Sequence, residues 1–544
     1  MIRSSQLVLY GDALPVKAGP SSLVAQLLGE QQRLSAVERF AERHERGALP
    51  ERARYYEDLL PASPPGPGQQ YAFRVDLDKC TGCKACVAGC HSLNGLDEAE
   101  TWRTVGLLHG GTADAPVQQT VTTSCHHCID PACMRGCPAA AYEKDPATGI
   151  VRHLDDQCIG CQYCVLMCPY DAPKFNARLG IVRKCDLCSA RLGAGEAPAC
   201  VQACPTSAIR IDVVDSAQVI EEAQGDAFLP GAPGPGATFP TTRYESARPQ
   251  PKNLLPADFY AIAREHAHWP LVFMLVLTQL SAGAFVVHTT LARFGFGAAW
   301  SRASVLFALA CGGFVMVASV SHLGRPKLAF RAILGLRTSW LSREILGFAA
   351  FSGLAGLRAA AFFAPADLAA LGPRLDGAVA MLGVLAVTAS VMVYVATRRP
   401  TWGPAVTALK FGLCALVLGS AAELLVGCVL APAPDPAALR LLGQVLLLAM
   451  TAKLVVDLSA LLHLGDRRHT AHKRSAILMT RELRGWTWAR FALGAAGGLL
   501  LPAIGIDGAA IASSAFLLCL CGELCERYLF FTAATAPRMP GALS

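Results

Sequence analysis

CIGCQYCVLMCP, residues 158–169, is the stretch from which the rest of this protein can be read. Cys158, Cys161 and Cys164 recur every third residue, and Cys168 follows with Pro169 behind it. A CxxC turn aims two thiolates at one point, and a third cysteine nearby completes one face of a cubane cluster. The fourth cysteine of such a run reaches across to the other cluster of a pseudo-symmetric pair. The proline then ends the short helix and turns the backbone. Working outward, the pattern occurs three more times, as Cys80-x2-Cys83-x2-Cys86-x3-Cys90, Cys125-x2-Cys128-x4-Cys133-x3-Cys137-Pro and Cys185-x2-Cys188-x11-Cys200-x3-Cys204-Pro. Sixteen of the 22 cysteines thus fall between Cys80 and Cys204 in four groups of four.

Zinc also uses CxxC pairs, but it gives no reason for a third cysteine and a CxxxCP ending. A disulfide framework needs an oxidising compartment. The N-terminus, MIRSSQLVLYGDALPV, lacks a twin-arginine pair and the charged head, apolar run and small-residue cleavage site of a signal peptide. Four quartets within 125 residues are therefore read as four [4Fe–4S] clusters, walled from water by aliphatic neighbours such as Ile159, Val165 and Leu166. Such a row makes one-electron stepping sites. No nucleophile–base motif, P-loop or dinucleotide fingerprint accompanies it, so the catalytic centre for a main substrate is expected on another polypeptide.

The sequence is 53% hydrophobic and 16% charged, against about 25% charged in a typical soluble protein. Its net charge of +7 reads as loop bias of a membrane protein, not as nucleic-acid affinity. Residues 1–70 are expected to be a helical N-terminal extension closed by a Pro/Gly linker. Within it, Leu23, Val24, Leu27, Leu28, Leu34, Val37 and Phe40 fit an amphipathic helix over 22–48 that docks on the adjacent domain or on a partner. Residues 71–212 form the cluster domain, an α+β double bacterial-ferredoxin-like fold. Residues 213–265, dense in Pro and Gly, are expected to run as an extended linker. Residues 266–535 form an all-α anchor, and 536–544 a tail. The anchor's apolar spans fall at roughly 269–292, 303–322, 342–363, 377–397, 404–430, 439–463, 488–505 and 508–533, each about the 20 residues a crossing helix needs, except a shorter seventh that holds Pro502. Cys311, Cys414, Cys428, Cys519, Cys521 and Cys525 lie in these spans and read as small hydrophobes.

CTGCKACVAGC, SCHHCIDPACMRGCP, CIGCQYCVLMCPYDAPKFN and KCDLC…PACVQACP resemble the electron-transfer subunit of dimethyl sulfoxide reductase-type molybdenum enzymes. SHLGRP (321–326), TSWLSRE (338–344) and GELCERYLFF (522–531) resemble the eight-helix membrane anchor of the same enzymes, usually a separate polypeptide. The resemblance implies crosswise ligation: Cys80, Cys83 and Cys86 with Cys204; Cys185, Cys188 and Cys200 with Cys90; Cys158, Cys161 and Cys164 with Cys137; Cys125, Cys128 and Cys133 with Cys168. It also implies electron exchange between the membrane quinone pool and a molybdopterin (bis-guanine dinucleotide) catalytic subunit, as in anaerobic respiration. A related polysulfide or nitrite reductase module, or an ion-translocating redox complex, would suit the same motifs. An ion-translocating complex predicts a continuous line of buried charges, which Arg358, Lys410 and Lys453 do not by themselves compose.

Fifteen Lys and Arg flank the loops on the ferredoxin side (323–341, 398–403, 464–487 and the C-terminus), against four (Arg293, Arg302, Arg374 and Arg440) on the other. Basic loops stay in the cytoplasm, which places the cluster domain on the cytoplasmic side of the inner membrane, as in membrane-bound sulfite dehydrogenase. Ionisable residues within spans are functional candidates. Glu344 and His322 are expected as the quinone and proton relay, Glu344 because the family's anchor has an important glutamate in the same motif. Arg325, Asp457 and Glu523 are expected around the quinone. Facing histidine pairs within spans are not apparent, since His288, His322 and His463 sit near span ends, so no haem is expected.

Overall fold

The computed structural model of the protein describes residues 23–31, 35, 38, 41–42, 45 and 51–541, apart from 226–227, 366–370, 431–434 and 507. Of the expected N-terminal helix, Leu23–Gln31 is helical, while Leu34, Val37 and Phe40 lie outside the described residues. The extension's far end docks on the cysteine-rich domain, where Ala53 and Tyr56 are buried against Phe73, Ile209 and Ile211.

That domain is nested. Strand β1 (Gln69–Asp76) precedes the first quartet and pairs antiparallel with β8 (Ile209–Asp215), which follows the fourth, in the register Phe73↔Ile211. The outermost quartets are thereby drawn together. Between them lie the hairpins β2–β3 (Thr104–Gly111, Pro116–Thr123), β4–β5 (Tyr142–Lys144, Val151–His153) and β6–β7 (Lys174–Asn176, Ile181–Arg183). Residues 213–265 are not an extended linker. They hold a helix over Ser216–Gln224, capped by the Asp215 carboxylate, and two short strands. β9 (Arg243–Glu245) runs parallel to β1, and β10 (Leu255–Pro256) pairs with β2. Pro and Gly here set turns between strands too short to show an alternating pattern. The tail returns too: Arg538 pairs with Asp258 at 2.6 Å, and the Gly541 amide donates to the same carboxylate.

Among the described residues eight helices are long and apolar enough to cross a membrane: α1 (Trp269–Arg293), α2 (Ala298–His322), α3 (Trp340–Ala361), α4 (Gly372–Val395), α5 (Pro404–Val429), α6 (Pro436–Gly465), α7 (Arg484–Ile504) and α8 (Ala509–Thr532). They follow the expected spans within a few residues. At the centre α1 meets α5 through glycine. A Cβ on Gly283 would lie 1.9 Å from the Ala415 carbonyl oxygen, so only the hydrogen of glycine permits this backbone contact. In α7 the turn over Ala496–Leu500 widens to a π-helix. Pro502 explains it, since it offers no N–H to the Gly498 carbonyl.

The two domains meet through backbone. The loop between α2 and α3 lies on the inner cysteine quartets: the Arg325 amide donates to the Ile159 carbonyl, Gly335 N to Pro138 O, and Ser339 Oγ to Gly136 O. Gly324 packs on Gly180, and a Cβ on Gly324 would stand 2.1 Å from the Gly180 carbonyl oxygen. Gly324→Val is therefore expected to lift the cysteine-rich domain locally from the helices at a cost of about 1–3 kcal/mol. Amide hydrogen exchange should rise in 323–341 and 176–183 while the spans keep their protection. Unchanged exchange in both segments would contradict the tight contact.

Candidate functional site

The four cysteine turns share one backbone device. Gly82 and Lys84, Gly160 and Gln162, His127, and Leu187 with Cys188 all adopt positive φ within their CxxC turns. This left-handed step folds the loop around its thiols and turns amides toward sulfur. Gly160 N lies 3.4 Å from Cys158 Sγ, and Leu187 N 3.4 Å from Cys185 Sγ. Ala141 N donates to Cys137 Sγ and Ala208 N to Cys204 Sγ, each at 3.2 Å. N–H···S bonds of this kind stabilise thiolate ligands and tune a cluster's potential.

Cysteines distant in sequence come together. Cys125, Cys128, Cys133 and Cys168 line one cavity of about 360 Å³. Cys137 is in electrostatic reach of Cys158, and Cys161 and Cys164 of both. Cys90 faces Cys200 and Cys188. Cys86 and Cys204 share the outer core, while Cys83 is exposed at the domain's edge. Burial pushes Cys90 up to about 12 and Cys168 up to about 11. Thiols held so high are neutral at pH 7, so these cages become thiolate only around a cationic guest. Among the described residues no three His, Cys, Asp or Glu side chains gather as they would on a single metal ion. The donors fit the larger iron–sulfur cube.

Two cations are buried beside these thiols. Arg103 stacks on Phe73, donates to Thr122 and Ser124, and faces Cys200, Cys86, Cys185 and Cys90. Lys184 donates to the Cys185 and Val151 carbonyls and faces Cys125 and Cys133.

Below the inner quartets lies a second cavity, of about 940 Å³, shared by both domains. Its roof is Ile159, Cys161, Tyr163 and Leu166; its walls include Leu271, Met274, His322, Glu344, Phe348 and Tyr394. Glu344, at the start of α3, is buried and accepts a hydrogen bond from the Ser390 hydroxyl. Among the described residues no cation pairs with it. Arg343 turns to the Leu336 and Arg337 carbonyls, and Arg325 to the Asp155 carbonyl. His322 donates from Nδ1 to the Ser319 carbonyl. A carbonyl only accepts, so Nδ1 carries the hydrogen and Nε2 is left as the basic nitrogen. Tyr163 donates to the Val393 carbonyl at 2.7 Å. Burial, with Glu344 nearby, holds its phenol well above the usual range, so it remains a donor.

The structure brings Glu344 and His322 together with Cys161, and leaves the other three expected pocket residues outside. Arg325 is seated on the cysteine-rich domain. Asp457 and Glu523 belong to a ring of alternating charge between α5, α6, α7 and α8. Lys410 bridges Asp457 and Glu526 at 3.0 and 2.9 Å. Arg490 bridges Asp457 and Glu523, both at 2.9 Å. Lys453 closes the ring to Glu523 at 2.9 Å and Glu526 at 3.7 Å. Nearer the opposite end, Arg358 pairs with Asp376 at 2.6 Å, and Glu423 receives His288, Trp300 and Ser304. Tyr163, Ser390 and Tyr394 are site residues that the motif reading missed. Only Tyr163 carried a signal, being the one aromatic inside CIGCQYC.

Cysteine cages joined to eight apolar helices define a membrane-anchored iron–sulfur electron-transfer protein. The family described as "4Fe-4S dicluster domain" matches residues 117–214, and that described as "DMSO reductase anchor subunit (DmsC)" matches residues 264–533. The B subunit of anaerobic dimethyl sulfoxide reductase from Haemophilus influenzae is 39% identical over 156 residues, 27% of the present sequence and 76% of that protein. The corresponding B subunit from Escherichia coli K12 is 38% identical over 178 residues, 31% of the present sequence and 84% of that protein. Hydrogenase-2 operon protein HybA of Escherichia coli O157:H7 is 34% identical over 189 residues, 30% and 56% respectively. The protein belongs to the family of dimethyl sulfoxide reductase B subunits and carries that enzyme's anchor domain in the same polypeptide.

Replacing Arg103 by Leu removes a positive charge from the outer quartets. The reduced, more negative cluster loses that stabilisation, so a midpoint potential is expected to fall by about 50–100 mV. A potentiometric titration followed by electron paramagnetic resonance checks this, and a potential that stays within error would show the charge to be screened.

Proposed function

We propose that this protein carries electrons between membrane quinone, bound in the cavity of Glu344 and His322, and a separate molybdopterin catalytic subunit on the outer face of the ferredoxin. The observation that carries this reading is that one cavity touches both Cys161 and the two proton-active side chains of the anchor. An electron leaving a quinol there has the inner quartet as its nearest acceptor.

Four [4Fe–4S] clusters, held by the crosswise quartets, would supply one-electron stepping sites. The nesting of β1 with β8 and the neighbouring thiols support that ligation. Exposed Cys83 puts the outermost quartet where a soluble partner can approach. The protein's own residues manage the protons. Oxidation of a quinol to quinone releases two electrons and two protons. The Glu344 carboxylate takes one proton, and His322 Nε2 takes the other. Tyr163 and Tyr394 close the cavity around the ring, and Leu271, Met274 and Phe348 suit its apolar tail. Quinone reduction runs the same transfers backward. The fifteen-to-four bias of basic residues supports a cytoplasmic ferredoxin.

Glu344→Gln keeps the shape and the acceptor oxygen but cannot take a proton. Quinol-linked turnover of the purified complex is expected to fall about 10²-fold, while dye-linked activity of the catalytic subunit stays within twofold. Loss of both activities, or of neither, would remove the assignment. Anaerobic preparations should hold about sixteen irons per polypeptide, four for each cubane.

A further inference from the structure

The charged ring balances by itself, but the cluster it belongs to does not. Lys410, Lys453 and Arg490 alternate with Asp457, Glu523 and Glu526, three against three. Arg527, fully buried beside them, is a fourth cation. It shares Glu526 at 3.5 Å, but that carboxylate already receives Lys410 and Lys453. Its one hydrogen bond from Nη2 goes to neutral Gln279, at 3.0 Å, and Nε and Nη1 have no partner among the described residues. The guanidinium lies 4.0 Å over Phe411 and 5.2 Å from the Phe530 ring. Both rings contact Tyr394, which lines the quinone cavity and stands in electrostatic reach of Glu344 on one side and Arg527 on the other.

An unmatched cation in an apolar bundle is expensive unless something negative answers it. On the other side of Tyr394 stands Glu344, a buried acid with no ion-pair partner among the described residues. Its ionisable surroundings are His322 of α2, Tyr394 of α4, and Tyr163 and Cys161 of the ferredoxin, none of them a resident cation. We infer that Arg527 is the electrostatic counterpart of the quinone cavity: its surplus charge, acting across Tyr394, stabilises the carboxylate of Glu344 when that group gives up its proton. The ring holds Arg527 in place and is not itself a ligand. Arg527 is thus a positioning residue, acting through the field and touching no substrate.

This rests on the quinone reading, and the test separates the two. Full-length protein with its clusters is reduced by a water-soluble quinol in stopped flow across pH 5–9, as wild type, Glu344→Gln, Arg527→Gln, Arg527→Lys and Glu526→Gln, with a thermal unfolding midpoint for each. If the wild type is not reduced, or Glu344→Gln reacts at the wild-type rate, the quinone reading itself fails. Otherwise Arg527→Gln should leave a balanced ring, so its midpoint stays at or above the wild type's, whereas Glu526→Gln, which deepens the imbalance, lowers it. Arg527→Gln should also move the acidic limb of the rate profile toward higher pH by about one unit, because the Glu344 base is then less readily charged, and Arg527→Lys should restore it. An unshifted profile, or an Arg527→Gln midpoint that falls as far as that of Glu526→Gln, makes Arg527 an ordinary structural ion-pair partner and overturns the inference.

Discussion

Everything this protein does depends on backbone lying directly on backbone where the ferredoxin meets the helices. Gly324 against Gly180 and Gly335 against Cys137 and Pro138 leave no room for side chains. Electron transfer through protein weakens steeply with distance, so a softer, side-chain-padded interface would hold the domains together and still fail. The fusion of both units into one polypeptide raises their effective concentration, but a tether sets no angle and no spacing. Those come from the α2–α3 loop, whose carbonyl and amide bonds to Ile159, Pro138 and Gly136 aim the inner cysteines at the bundle.

Within the bundle, polar residues sort by whether they are answered. Arg358 has Asp376, Glu423 has His288, Trp300 and Ser304, and six charges alternate around one ring. Removing one partner from such a set leaves a buried charge uncompensated, which ties the helices that supply the partners to one another. Glu344 has a single hydroxyl partner among the described residues and faces a cavity, so no ion pair ties it into the network. Lys453 and Glu523 lie about twelve and about nine residues, or about 18 and 14 Å, from the ferredoxin-side ends of α6 and α8. The ring is buried except at Lys410, which lines a separate cavity between α5 and α6.

What could be read beforehand follows from how local each signal is. Cysteine spacing is local, and so are runs of apolar residues, so the quartets and the eight spans were legible. Glu344 and His322, which the structure brings to one cavity, each sit in a short motif beside a span end. Asp457 and Glu523 are chemically the same kind of residue at similar depth, yet their partners, Arg490 and Lys453, arrive from other helices. No sequence pattern separates an answered carboxylate from an unanswered one. Residues 213–265 misled for a related reason. Strands of two or three residues have no period, and their pairing with β1 and β2 is made across more than a hundred residues.

In the proposed function, the roof of the cavity would route electrons and protons apart. Ile159, Cys161, Tyr163 and Leu166 close it toward the ferredoxin, so the route that suits an electron is sealed to water. A proton cannot follow through packed aliphatic side chains and must pass to groups in the walls. Both wall groups, Glu344 and His322, sit at the ferredoxin-side ends of their helices, where the walk to water is short. Among the described residues, the opposite half of the bundle pairs Arg358 with Asp376 and Glu423 with His288, and the Gly283–Ala415 crossing is packed between α1 and α5. Under the proposed function, proton exchange would fall on the same side of the bundle as electron exchange, because both wall groups and Cys161 of the inner cysteines meet at one cavity.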